Sequence, residues 1–234
     1  MQQYFAKNKN LDLEDGDYHH IKNVMKMKRG DLIKVVYDNV IYTCKLNNVS
    51  NKSTFDIINK EEKTDKKLSV SVAFSLIKEQ KLNYLLQKTT ELGVNKLIPI
   101  ETKRSVVKIE GNKEKTKIDR WKKICKEASE QSFRTDIPEI SGILTLKNLV
   151  NLDYDLKLVC SLNKNTKNIK KILEKNNKCV KILLVVGPEG GFDPLEEEYL
   201  LENGFKSVSL GENVLRAETA PVVALSMINY EFMR

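Results

Sequence analysis

The segment with the clearest chemical potential is Lys181 to Leu195, KILLVVGPEGGFDPL. Its apolar run Ile182 to Val186 suits a strand buried on both faces. Gly187, Gly190 and Gly191, with Pro188 and Glu189 among them, then form a turn whose backbone can approach a ligand closely. Asp193 offers a helix N-cap, Pro194 fits the first helical position, and Glu196 stands where a capping box needs it. Strand, glycine loop and capped helix in direct succession place a ligand beyond the carboxyl end of the strand. The loop is neither a Walker sequence nor a GxGxxG fingerprint. An acidic Glu189 inside it disfavours a polyphosphate and suits a cationic or uncharged ligand. Glu196, Glu197 and Glu198 read as a solvated first helical turn that complements the helix dipole, without a chemical role.

A second segment, VSLGENVLRAETA at Val208 to Ala220, carries a short strand ending at Gly211 and a loop through Arg216 and Glu218. Thr219 is a candidate N-cap, and Pro221 is tolerated in the first turn that follows. The helix over Val222 to Phe232 is apolar on nearly every side, so a core or another subunit must cover it. Arg216 and Glu218 are open to two readings, a catalytic cation with a carboxylate or a local ion pair.

These segments need a scaffold, and the rest of the 234-residue chain describes one. Hydrophobic residues make up 41% and charged residues 31%, a globular composition rather than a disordered one. Asp31 to Tyr37 and Val40 to Leu46 read as strands joined by an Asp38-Asn39 hairpin turn, with Phe55 to Ile58 a third. Asn59 to Lys67 is charged and reads as a linker, which places a domain boundary near Lys67. Strands and helices alternate beyond it. Strands are expected at Leu68 to Phe74, Val94 to Ile100, Leu156 to Ser161 and Lys181 to Val186. Helices are expected at Glu79 to Leu92, stopped by Gly93, and at Lys117 to Phe133. The second buries Ile118, Trp121, Ile124, Cys125 and Ala128 and turns Lys122, Lys123 and Lys126 to solvent. Such alternation predicts a mostly parallel sheet flanked by helices.

Several classes are set aside. No apolar run approaches the roughly 20 residues that span a bilayer. Met1 to Asn10 lacks the apolar segment of a secretory signal, which predicts a cytoplasmic protein. Four scattered cysteines and the adjacent His19 and His20 give no metal-ligand spacing, so no metal is expected. The net charge of +8 fits a polyanionic partner, though a lysine-rich composition has other origins.

GPEGGF at Gly187 to Phe192, followed by LGENVLRAETA at Leu210 to Ala220, closely resembles the paired C-terminal signatures of the RsmE family. Weaker likenesses run along the chain: HIKNVMKMKRGD from His20, QKTTELGV from Gln87, RSVVK from Arg104, and EASEQSFR from Glu127 with Pro138. The resemblance implies an α/β protein: an N-terminal PUA-like β-barrel over residues 1–67, then a SPOUT α/β domain over residues 68–234 with a C-terminal trefoil knot. It implies S-adenosylmethionine as cofactor, a homodimer, and methylation of N3 of a uridine in 16S ribosomal RNA of the small subunit. The cofactor residues carried over are Leu162, Gly187, Pro188, Glu189, Gly190, Gly191, Leu210, Gly211, Val214, Leu215, Thr219 and Ala220. RNA contacts are expected at His20, Lys26, Arg104 and Arg134. Two departures stand out: Lys26 replaces the family's usual arginine, and SLNKN after Cys160 lacks its acidic or proline-bearing pattern. The uridine N3 proton must leave before or during attack, which needs a base or a cation near O2 or O4. Arg216 is the candidate cation and Glu218 the candidate base. The alternatives are a SPOUT enzyme acting on a ribose 2′-oxygen or another base, and an RNA-binding protein without activity.

Overall fold

A computed structural model describes residues 1–63, 68–163 and 166–232. The expected boundary at Lys67, and Lys164 and Asn165 of the SLNKN stretch, lie outside the described residues. The chain divides into two compact units, Met1–Asp65 with Lys126–Ile137, and Lys66–Cys125 with Pro138–Arg234.

The first unit holds a four-stranded sheet of β1 (Gln2–Phe5), β2 (Leu32–Tyr37), β3 (Val40–Asn48) and β4 (Thr54–Glu62), in that order. β1 runs parallel to β2, and the other pairs are antiparallel. Asp38 and Asn39 both take left-handed backbone, φ 50° and 60°, as the tight turn between twisted strands requires. β4 continues through Asn59–Glu62, where the charge pattern predicts a linker. Its ladder to β3 extends to the Val40–Glu62 pair, and charged side chains suit an exposed edge strand. A short helix α1 (Asp15–His19) passes into a π-helical turn, His20–Val24. Tyr4, Leu13, Tyr18, Ile21, Ile33 and Leu46 form the core of this unit.

Lys126 belongs to this unit and is not on a solvated face. Its side chain is 14% exposed and its ammonium meets Asp17 at 2.7 Å and Glu130 at 2.8 Å. Burial works to lower its pKa, but those two carboxylates outweigh burial and hold it above the ordinary lysine value.

The second unit follows the order β5 (Ser69–Ser75), α2 (Glu79–Glu91), β6 (Lys96–Ile100), α3 (Gly111–Gln131, of which the part from Lys126 belongs to the first unit), β7 (Glu139–Ile140), α4 (Leu146–Val150), β8 (Leu156–Cys160), β9 (Lys167–Asn168), α5 (Ile169–Lys175), β10 (Lys181–Val186), α6 (Pro194–Glu202), β11 (Lys206–Ser209) and α7 (Ala220–Phe232). Its sheet is parallel throughout, ordered β7-β6-β5-β10-β8-β11-β9. The apolar run of β10 is explained by its place between β5 and β8. Ile182, Leu184 and Val186 enter one core cluster, and Leu183 and Val185 enter the other on the opposite face.

Helix α3 begins at Gly111, ahead of the expected Lys117. Its polar first turns are tied down by tertiary bonds: Glu114 accepts from the Ile143 N–H at 2.9 Å, and Lys117 pairs with Glu79. α7 begins at Ala220 rather than Val222 and buries Ala224, Leu225 and Ile228. Its other side carries Tyr230, 81% exposed. Among the described residues, no helix is long and apolar enough to cross a membrane.

Candidate active site

The loops that follow β8, β10 and β11 emerge from the carboxyl ends of adjacent strands in the second unit. Together they line a cavity of about 750 Å³. That volume falls within the range of small-molecule sites.

The glycine loop is shaped from within and held from outside. A Cβ on Gly187 would stand 3.1 Å from the Phe192 ring, so the buried ring needs a glycine beneath it. Gly191 has φ 68°, and a Cβ there would meet no protein atom within 4 Å. Left-handed backbone and open space above it leave room for a ligand against the chain. Asp193 and Glu196 form the expected capping box at the start of α6. Glu196 is buried rather than solvated, because its Oε1 also accepts the Lys103 N–H at 2.8 Å. Lys103 adds an ion pair with Asp193, and the Arg104 guanidinium donates to the Gly190 carbonyl at 3.1 Å. Lys81 pairs with Glu189 at 3.0 Å. Burial pushes the Glu189 carboxyl up, but the Lys81 hydrogen bond prevails and holds it below the ordinary carboxylate value.

The loop between β11 and α7 brings Leu210, Gly211, Val214, Leu215 and Arg216 to the same cavity. Arg216 is exposed, and its carbonyl accepts from the N–H groups of Thr219 and Ala220, closing the turn that opens α7. Among the described residues no ion pair joins Arg216 to Glu218. Glu218 is 8% exposed, its Oε2 has no hydrogen-bond partner, and it does not line the cavity. That placement removes it from the position a base would need. Thr219 also stands outside the lining; the other expected cofactor residues are part of it. Leu162 lines the rim and is 67% exposed. Cys160 also lines the cavity, and burial pushes its thiol up to about 12.

The cavity also takes in Lys81, Ser161, Asn213 and Glu197, which local pattern did not single out. Glu197 departs from its expected solvated role, because its Oε1 is buried without a hydrogen-bond partner. An open space above Gly191 and two loops of backbone at the cavity fit the methyl donor expected here. Among the described residues, no cluster of three potential metal ligands is present.

The residues expected at RNA are dispersed. Arg104 belongs to the cavity wall. Lys26 is exposed, with φ 49°. His20 is partly buried, its Nδ1 3.0 Å from the Tyr4 hydroxyl. Arg134 does not face a surface: its side chain is 5% exposed and grips Asp136 at 2.6 Å, while its carbonyl accepts from Gln3.

Comparison with known proteins agrees with this geometry. The sequence pattern of an RNA methyltransferase domain family matches residues 64–229, and that of an RNA methyltransferase PUA domain matches residues 13–58. The chain is 35% identical over 249 residues to the ribosomal RNA small subunit methyltransferase E of Bacillus subtilis, covering 99% of this chain and 97% of the relative. The corresponding enzyme of Mesomycoplasma hyopneumoniae is 34% identical over 211 residues, with 89% and 88% covered. A crystal structure of ribosomal RNA small subunit methyltransferase E from Neisseria gonorrhoeae, bound to S-adenosyl methionine, superposes with a TM-score of 0.89 at 25% identity, covering 98% of this chain and 97% of that one.

Proposed function

This chain belongs to the ribosomal RNA small subunit methyltransferase E family, and from that premise we propose that it methylates N3 of a uridine in 16S ribosomal RNA of the small subunit. S-adenosylmethionine supplies a methyl group already activated by its sulfonium. The protein therefore has to hold the donor, align the uridine and manage the N3 proton. One observation carries the reading: the loops after three adjacent strands share a single cavity that contains the glycine loop and Arg216 together. Backbone groups of Gly187–Gly191 and Leu210–Leu215 hold the cofactor. The Arg216 guanidinium stabilises negative charge at O2 or O4 of the uridine as N3 loses its proton. Glu218, buried away from the cavity, is not retained as the base.

Residues 1–67 act in this reading as a PUA-like β-barrel that engages RNA through Lys26 and its basic neighbours. Residues 68–234 form the SPOUT domain with its C-terminal trefoil knot. A second copy covers the exposed side of α7 and completes the site, a role supported by the exposure of Tyr230 on that helix. The protein works in the cytoplasm.

The test is mass spectrometry of nucleosides from 16S ribosomal RNA. A strain lacking the gene should lose N3-methyluridine, and purified protein with S-adenosylmethionine should restore it on that strain's RNA or small subunits. Appearance of a ribose 2′-O-methyl group instead would move the chain to another SPOUT activity. No methylation of either substrate would favour a binding protein.

A further inference from the structure

Phe133, in the first unit, stands where the backbone calls for glycine. It follows the end of α3 by two residues and takes φ 55°. Its N–H donates to the Glu130 carbonyl at 3.3 Å, and the Arg134 N–H donates to the Ser129 carbonyl at 2.9 Å. Those two bonds are the Schellman closure of a helix, whose left-handed residue is usually glycine because a side chain there is strained. A bulky residue in that conformation is an outlier, and such strain gathers at functional sites. Burial does not offset it, since Phe133 is 47% exposed.

The surroundings of the ring are basic. The Lys34 ammonium lies 5.6 Å from the ring centroid, within cation–π range. Cross-strand pairing with Gln3 and Thr43 sets Lys34 on the sheet face opposite the core of Tyr4, Ile33, Val35 and Cys44. Gln3, on the Lys34 face, donates to the Arg134 carbonyl at 2.6 Å and fixes the turn against β1. Lys45, paired with Leu32, lies on that face and is exposed. The acids of the same face, Asp56 and Glu61, stand on β4, at the other edge of the sheet from β1. A ring with a cation on one side and solvent on the other offers a surface to a planar group attached to an anion. A nucleotide has both parts.

We propose that Phe133 and Lys34 form a stacking platform for an unpaired RNA base, the ring taking the base and the ammonium its adjoining phosphate. The assignment rests on RNA being the substrate. Every base has a π-face, so the platform tolerates sequence. Bases within a duplex are already stacked on one another, so the platform selects single-stranded nucleotides.

Fluorescence anisotropy on the full chain tests it with three labelled ligands: 16S ribosomal RNA, a single-stranded oligoadenylate and an RNA duplex of the same length. Phe133→Gly should weaken oligoadenylate roughly tenfold, the scale of one lost base–aromatic stack, and leave the duplex unchanged. Its Tm should hold or rise, because glycine relieves the left-handed strain. Phe133→Trp should keep the single-strand affinity. Lys34→Gln should weaken it by a smaller factor and flatten its salt dependence. Unchanged oligoadenylate affinity in Phe133→Gly, with a fall in Tm, would make the ring a packing element. An equal loss on the duplex would show that the ring does not stack on bases. Full affinity in Phe133→Leu would mean that any apolar group serves, as at a surface for a protein partner. A parent protein that binds none of the three ligands would overturn the RNA reading itself, whereas a parent that binds 16S ribosomal RNA no better than Phe133→Gly does would overturn the platform alone.

Discussion

The two loops that carry the family signatures are held in opposite ways. The glycine loop is braced from outside by Lys81 and Arg104, and the start of α6 that follows it by Lys103, each reaching in from a distant part of the chain. The loop from Leu210 to Leu215 is tied chiefly at its ends. The Ser209 hydroxyl donates to the Gly211 carbonyl at 2.9 Å, and the Arg216 carbonyl closes the turn into α7. Val214 between them is exposed. A braced loop presents fixed backbone groups to a small ligand. A loop held at its ends can settle around a larger substrate once that arrives. If both loops hold the cofactor as proposed, the contrast predicts that changes in the first loop act mainly on cofactor affinity and changes at Arg216, where the second ends, mainly on turnover.

The largest effect should come from the freer loop. Arg216→Ala should slow single-turnover methylation about a hundredfold, the scale of losing one oriented electrostatic donor. Cofactor affinity measured on the same protein should barely change. Arg216→Lys should rescue poorly, because a point charge does not reproduce the planar fork. Raising the pH should restore part of the rate as more uridine reaches the N3 anion unaided. If rate and affinity fall together, the two loops do not divide the work and Arg216 is scaffold.

In the braced loop the order of effects reverses. Gly191→Val places a β-branched residue at φ 68° and fills open space on the ligand side. Affinity for S-adenosylmethionine should drop by roughly tenfold or more, because the side chain fills volume the ligand needs, while the backbone strain of about 1–3 kcal/mol acts on stability. Thermal unfolding should shift only modestly. Unchanged affinity would mean that this loop is not the cofactor site.

Removing one brace should do less. Lys81→Met breaks a partly exposed ion pair, so affinity should fall only a few-fold and the deficit should shrink in high salt. The sign with pH follows from the lowered Glu189 pKa. The pair contributes above the ordinary carboxylate range and is lost as the pH falls through the lowered value. The stability difference between Lys81→Met and the parent should therefore be flat near neutrality and vanish in acid. A difference that grows in acid would contradict the pairing. The smallest effect belongs to the first unit. Lys26→Ala should reduce the salt dependence of RNA binding by about one phosphate contact while leaving cofactor affinity intact.

Local chemistry made several features legible in the sequence. The Asp193–Glu196 capping box, the left-handed pair Asp38-Asn39 and the doubly buried run Ile182–Val186 each depend on residues within a few positions of one another. Short-range sterics and hydrogen bonding settle such features whatever surrounds them. The same holds for the glycines of the loop after β10, whose conformational freedom is intrinsic. The fate of the charged side chains was not legible. Lys126, Arg134 and Glu196 all sit in polar stretches that resemble solvated surface, and all three are withdrawn from solvent by partners. Lys126 meets Asp17 from 109 positions away, and Glu196 receives the Lys103 N–H from 93. Burial of a charge is decided by whether a distant partner arrives, and that depends on strand order. Only the tertiary structure sets β10 between β5 and β8, brings Arg104 to Gly190, and leaves the Glu197 oxygen buried without a donor.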